Sequence, residues 1–396
     1  MKRYTARRAS SALMGGLALA SAALLLTACG TSGGTASENK AATELGDNEA
    51  TVSILAWPGY VEDGSNDPSV DWVSAFEDQT GCAVTSKTYG TSDEAFNLMK
   101  TGEYDVVAAS GDASLRLVAA GDVAPVNTDL IPNYEGIFDF LKMQSWNSVD
   151  GVSYGIPHGY GANLLMYNTE VISPAPTSWD VVFDKSSDYA GKVTAYDSPI
   201  YIADAAVYLM AHQPDLGITN PYALDETQLA AAVDLLKEQR PNISEYWSDY
   251  LKEIQAFETG DSVVGTTWQV IKNSLSEGTT ADVVLPEEGV TGWSDTWMIA
   301  SKAKSPNCAY AWLNYIASPE ANAQATEYFG EAPSNMEACD FTANPDQCDL
   351  FHAGDADYAS KIWYWSTPIA KCLDGRTDVT CTDYAAWTTA WQEIKG

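Results

Sequence analysis

Gly292-Trp293-Ser294-Asp295-Thr296-Trp297 sets two indole rings around one carboxylate. A tryptophan face attracts a cation and a carboxylate supplies the opposite charge, so Trp293 with Asp295 suits an ammonium group. The competing reading is two core tryptophans about a turn aspartate. Other rings, hydroxyls and acids follow strand-like runs. Trp57 and Tyr60 come after TVSILA, Ser110 and Asp112 after YDVVAA, and Asp197 and Trp268 after later β-rich runs.

These side chains need elements to hold them. Residues 51–56, 82–89 and 104–109 read as strands, with helices at 70–78, 93–99 and 114–120 between and after them. Such alternation predicts a parallel sheet with crossover helices, whose ligands sit beyond the C-terminal strand ends. Strands at 152–157 and 162–167 flank His158-Gly159-Tyr160-Gly161, read as the connection into a second lobe. That lobe takes strands at 192–196, 262–266 and 282–285 and an amphipathic helix at 225–237. The run 296–300 reads as a strand returning to the first lobe, followed by helices at 308–316 and 319–328. The tail from Asn335 is polar and cysteine-stapled, with an aromatic-rich helical end.

The chain has 21 Lys+Arg, 54 Asp+Glu and a net charge of −33. Its start has a basic head, an apolar run too short to be a stable span, and then Leu26-Thr27-Ala28-Cys29-Gly30. That ending resembles the lipobox of bacterial lipoproteins, which implies cleavage before Cys29, a lipid on its sulfur and anchoring outside the cell membrane. Loss of residues 1–28 removes Lys2, Arg3, Arg7 and Arg8, leaving 17 Lys+Arg against 54 Asp+Glu, a net −37. Such a charge argues against nucleic acid or anionic surfaces and favours cationic ligands. Residues 29–50 read as a polar, flexible tether.

Beyond Cys29 there remain Cys82, Cys308, Cys339, Cys348, Cys372 and Cys381, an even set in an exported chain. Fifteen pairings are open, and the favoured one staples Cys339 to Cys348, Cys372 to Cys381 and Cys82 to Cys308. A zinc site is disfavoured, since no Cys-x2-Cys occurs and only His158, His212 and His352 are present. No phosphate loop, nucleophile elbow or His-Glu-x-x-His motif occurs. No cofactor is implied. A glycoside hydrolase built on paired carboxylates remains the enzyme alternative.

Over residues 51–370 the chain resembles the spermidine/putrescine-binding components of bacterial ABC importers. The resemblance rests on the order and spacing of Trp57-Pro58-Gly59-Tyr60-Val61, the run YDVVAAS at 104–110, Gly155-Ile156-Pro157, Asn168, Thr177-Ser178-Trp179, Pro286-Glu287-Glu288-Gly289, Trp293-Ser294-Asp295 and Trp365-Ser366-Thr367-Pro368. It implies a two-lobed α/β fold of the type II periplasmic-binding-protein class. Each lobe would be a mostly parallel sheet flanked by helices, with the ligand cleft between them. On that pattern lobe 1 takes 51–157 and 297–332, and lobe 2 takes 158–296 and 333–396. The chain is expected to act as a monomer. The resemblance also implies an ABC permease as partner, and a site walled by Trp57, Tyr60, Trp268 and Trp293. Ser110 would be its polar loop residue, and Asp197 and Asp295 its acids. Three positions depart from the pattern: Ile200 replaces an acid, while Asp112 and Glu331 replace aromatic residues. Another organic cation is therefore the alternative ligand. Tyr160 reads as either a further wall or hinge packing, Asp204 as a solvent-facing helix residue, Trp363 and Trp365 as packing for the tail, and Trp297 as core.

Overall fold

The computed structural model describes residues 40–184 and 188–396. The leader at 1–28, Cys29 and the tether as far as residue 39 lie outside the described residues.

Two five-stranded sheets form the two lobes of an α/β fold. In the first, Ala83–Thr88, Thr51–Ala56 and Val106–Ala109 are parallel neighbours in that order. Thr296–Ile299 then runs antiparallel to Val106–Ala109, and Ile156–Pro157 completes the edge. Val106–Ala109 is buried on both faces, as a central strand between helix layers must be, and its four residues are all apolar. Thr296–Ile299 is the return strand expected at 296–300, and its Trp297 is fully buried core.

The second sheet runs Ile243–Trp247, Val193–Tyr196, Val264–Thr267, Leu164–Asn168, Ala281–Val284. The first three strands are parallel, and Leu164–Asn168 is antiparallel to both its neighbours. Helix Glu226–Gln239 covers this lobe and starts at a full capping box, Asp225 with Gln228.

Between the lobes lies a four-stranded sheet, Ala332–Pro333, Gly159–Ala162, Val290–Trp293, Ile362–Tyr364. His158-Gly159-Tyr160-Gly161, expected as a connection, is therefore mostly strand: it pairs with Val290–Trp293 on one side and Ala332–Pro333 on the other. Strand Gly159–Ala162 carries the chain directly from Ile156–Pro157 in one lobe to Leu164–Asn168 in the other. Val290–Trp293 carries it back to Thr296–Ile299. The boundary drawn at 333 also shifts. Asn322, in helix Pro319–Phe329, accepts from the backbone of Ser334 and Asn335, which holds that segment on the first lobe.

Disulfides join Cys82 to Cys308, Cys339 to Cys348 and Cys372 to Cys381. The first links residues 226 apart in sequence and lies beside a second tie. The Glu49 carboxylate accepts from the backbone N–H groups of Asn307 and Cys308. The Ala42 carbonyl also accepts from Asn127, so residues 42–49 of the segment read as a tether lie against the first lobe. Among the described residues, no helix is long and apolar enough to cross a membrane.

Candidate functional site

A cavity of about 420 Å³ opens where strand ends from both lobes meet the crossing sheet. The first lobe contributes Trp57, Tyr89 and Ser110, which follow its three parallel strands, together with Phe329. The second contributes Tyr196 and Trp268, at the ends of Val193–Tyr196 and Val264–Thr267. The crossing sheet adds Trp293, Trp365 and, just beyond it, Asp295. Pro58, Gly90, Ser248, Asp249 and Tyr250 lie at the exposed mouth.

The rings fall into two groups, Trp57 with Tyr89 from the first lobe, and Tyr196, Trp268, Trp293 and Trp365 from the second lobe and the crossing sheet. Trp268 lies 5.2 Å from Trp293 and 5.7 Å from Tyr196, centroid to centroid. Tyr196 stacks on Trp365 at 5.6 Å with planes 16° apart, and Trp57 meets Tyr89 at 4.5 Å. Three indoles are fixed by hydrogen bonds: Trp57 Nε1 donates to Ser110 Oγ at 3.1 Å, Trp268 Nε1 to Asn163 Oδ1 at 2.9 Å and Trp293 Nε1 to Glu331 Oε2 at 2.9 Å. Fixed rings lose little entropy on binding, which favours a ligand that stacks along them.

Two glycines make this packing possible. A Cβ on Gly161 would come within 2.2 Å of the Trp293 ring, so the glycine lets the indole lie flat on the strand backbone. A Cβ on Gly111 would meet the Trp365 carbonyl oxygen at 1.7 Å, so only glycine lets the Trp365 segment approach the start of helix Gly111–Ala120.

Asp295 is the buried acid of the cavity, 2% exposed. Its Oδ2 accepts from Tyr60 OH at 2.9 Å; its Oδ1 has no protein donor in full hydrogen-bond geometry, although the Ser110 hydroxyl lies close enough to the carboxylate to favour its charged form. Burial raises its pKa to about 6; the hydroxyls of Ser110 and Tyr60 temper that rise and the Asp112 charge adds to it. A buried carboxylate with an open oxygen among π-faces is suited to an ammonium.

Trp57, Ser110, Trp268, Trp293 and Asp295 thus meet at one cavity. Tyr60 and Glu331 stand behind it. Tyr60 is fully buried against Asp295, and Glu331 lies under Trp293 with its pKa driven well above the usual range, first by burial and then by the Asp295 charge. His158 lies alongside, its Nε2 3.6 Å from Glu331 Oε1. Burial pushes the His158 pKa down to about 3, so it is neutral. Trp297 Nε1 donates to its Nδ1 at 3.0 Å, which puts the ring proton on Nε2.

Besides Glu331, two expected acids are not part of the lining. Asp112 is buried, accepts from Ser92 Oγ at 2.8 Å and acts on the cavity only through its charge. Asp197 is bound elsewhere: Lys395 Nζ lies 2.6 Å from each of its oxygens, and Trp391 Nε1 donates to it at 3.1 Å. Tyr196 takes the cavity side of the strand, and Asp197, one residue on, meets helix Tyr384–Lys395 instead.

Trp365 lines the cavity rather than the tail, because Ile362–Tyr364 pairs with Val290–Trp293 and delivers the next residue there. Asp204 is buried, not solvent-facing. It accepts from Thr291 Oγ1, which accepts from Asn163, the residue that holds Trp268. Tyr160 is hinge packing, its hydroxyl bonded to His352 O and Gly354 N. Sequence reasoning passed over Tyr89, Tyr196, Phe329, Asp249 and Tyr250. Tyr89 and Tyr196 each end a strand already drawn, so the strand-end rule contained the signal for them.

The sequence matches the bacterial extracellular solute-binding protein family over residues 71–347. It is 25% identical over 371 residues to the putrescine-binding periplasmic protein SpuD of Pseudomonas aeruginosa, covering 89% of this chain and 93% of that one. Identity to the putrescine-binding periplasmic protein PotF of Escherichia coli is 23% over 314 residues, 74% of this chain and 80% of the relative. Among solved structures, a putative spermidine/putrescine ABC transporter from Listeria monocytogenes superposes with a TM-score of 0.70 at 20% identity, covering 87% of this chain and 99% of that one.

Proposed function

The chain belongs to the bacterial extracellular solute-binding protein family, and we propose that it captures a polyamine cation of the putrescine and spermidine kind and delivers it to an ABC importer. The observation that carries this reading is the open Oδ1 of buried Asp295 in a cavity whose described lining includes no Lys, Arg or His. An ammonium there regains in charge-assisted bonds, about 1.5–3 kcal/mol each, much of what its desolvation costs. Ring faces return roughly 0.5–2 kcal/mol each. The methylenes between the ammonium groups lie along the indoles. These contributions are consistent with micromolar binding, on the order of −8 kcal/mol. The names of the relatives, putrescine-binding in both, support the same class.

In this reading the work is binding and presentation, without bond chemistry. The cation enters between the lobes, they rotate about the crossing strands, and the closed form is what the permease engages. Trp57, Ser110, Trp268, Trp293 and Asp295 contact the ligand. Tyr60 and Glu331 hold Asp295 and Trp293 in place. The lipobox supports anchoring through Cys29 on the extracytoplasmic side. Another organic cation is the runner-up ligand.

Calorimetric titration with putrescine, spermidine, choline, amino acids and sugars tests the reading. Putrescine or spermidine should bind in the micromolar range, and Asp295→Asn should weaken the better of them more than about tenfold. Binding of a neutral sugar with no response to any amine would overturn it.

A further inference from the structure

We propose that Asp249, at the mouth of the cavity, accepts the far ammonium of the ligand, so that the site holds a diamine between one buried and one hydrated carboxylate. This rests on the amine-binding reading above and names a residue that the motif resemblance does not single out, two residues beyond the C-terminal end of strand Ile243–Trp247.

A two-ended cation needs a second acceptor. Asp197 already holds an ammonium of the protein itself, Lys395 Nζ, at 2.6 Å from both oxygens. Asp112 is bonded to Ser92 and does not line the cavity, and Glu331 is covered by Trp293. Among the described residues lining the cavity, the only acids are Asp295 and Asp249. Asp249 caps helix Tyr250–Thr259, and the cap uses Oδ1, which accepts from Leu251 N at 3.0 Å.

The two acids differ in solvation. Asp295 is buried and carries an oxygen without a donor, whereas Asp249 is exposed. The first ammonium is therefore fixed and desolvated, while the second stays partly hydrated and can shift by a methylene without losing its partner. This arrangement demands a second positive end but tolerates a range of spacer lengths.

The test is calorimetry on the full chain with 1,4-diaminobutane, 1,5-diaminopentane and n-butylamine, using the wild type and Asp249→Asn. Asparagine keeps the helix cap, so the ligand-free melting temperature serves as a folding control. The wild type should bind the two diamines within about threefold of each other, and butylamine about tenfold more weakly, the equivalent of one charge-assisted bond. In Asp249→Asn both diamines should fall to the butylamine level while butylamine is unchanged. Unaltered diamine affinity in the variant, or an equal loss for butylamine, overturns the role of Asp249 and leaves the amine-binding reading standing. A wild type that binds none of the three overturns the diamine clamp, and if spermidine does not bind either, the amine-binding reading falls with it.

Discussion

Asp295 keeps its charge at neutral pH against the cost of burial, which raises its pKa to about 6 from 3.8. An ammonium on Oδ1 repays that cost, so binding takes up cation and releases protons around pH 6. Affinity for a diamine should climb between pH 5 and 7 and level off above, because the amine stays protonated throughout. Titrations at pH 5, 6 and 7.5 would show this, and a flat profile would contradict it. The same shift has a stability consequence of opposite sign. A carboxyl with a folded pKa above its unfolded one is most favourable to folding while protonated, and that contribution is lost as pH rises from about 4 through about 6. Ligand-free Asp295→Asn should therefore be more stable than wild type at pH 7.5, by up to on the order of 3 kcal/mol, with the difference shrinking towards pH 5. Urea melts at the two pH values measure it. At this scale the sequence was informative where a residue both matched a motif and followed a strand, as Trp293, Asp295 and Trp57 do. It misled at Asp197, because nothing in the local sequence says that Lys395, 198 residues on, will reach it.

Strands and glycines position these side chains. Trp293 lies on Gly161 because the crossing strands Gly159–Ala162 and Val290–Trp293 pair with Trp293 opposite Gly161. Gly161→Ala puts a methyl into the indole and should destabilise the fold by roughly 1–3 kcal/mol, as overpacking does. It should also weaken ligand binding by displacing the ring. Chemical denaturation with calorimetry checks both, and an unchanged affinity would mean that the ring position does not matter. The first sheet was readable because its strands are β-rich runs alternating with helical ones. The crossing sheet was not: Ile362–Tyr364 is three residues long and Ala332–Pro333 two, too short for a period to show. Their pairing is a long-range event, and with it went the placement of Trp365.

For the molecule as a whole, the ring wall is shared between lobes, so a ligand that touches Trp57 and Trp268 together favours their approach. Small-angle scattering should record a smaller radius of gyration with saturating putrescine than without it. No change would separate binding from closure. Both five-stranded sheets are joined through the same crossing strands, Gly159–Ala162 and Val290–Trp293, which would serve as the hinge in the proposed closure.

Composition and local pattern alone determined the acidic character of the chain, the strand–helix alternation, the even cysteine set and the residues able to bind a cation. These are short-range properties, carried by periodicity, charge and residue type. The tertiary structure decided which of those residues share a cavity. It turned Tyr196 to the cavity and Asp197 away from it, brought in Tyr89 and Trp365, and left Asp249 as the second acid at the mouth. The reason is physical: side chains on adjacent residues of a strand point to opposite faces, and which face meets the cavity is settled only when distant segments pack.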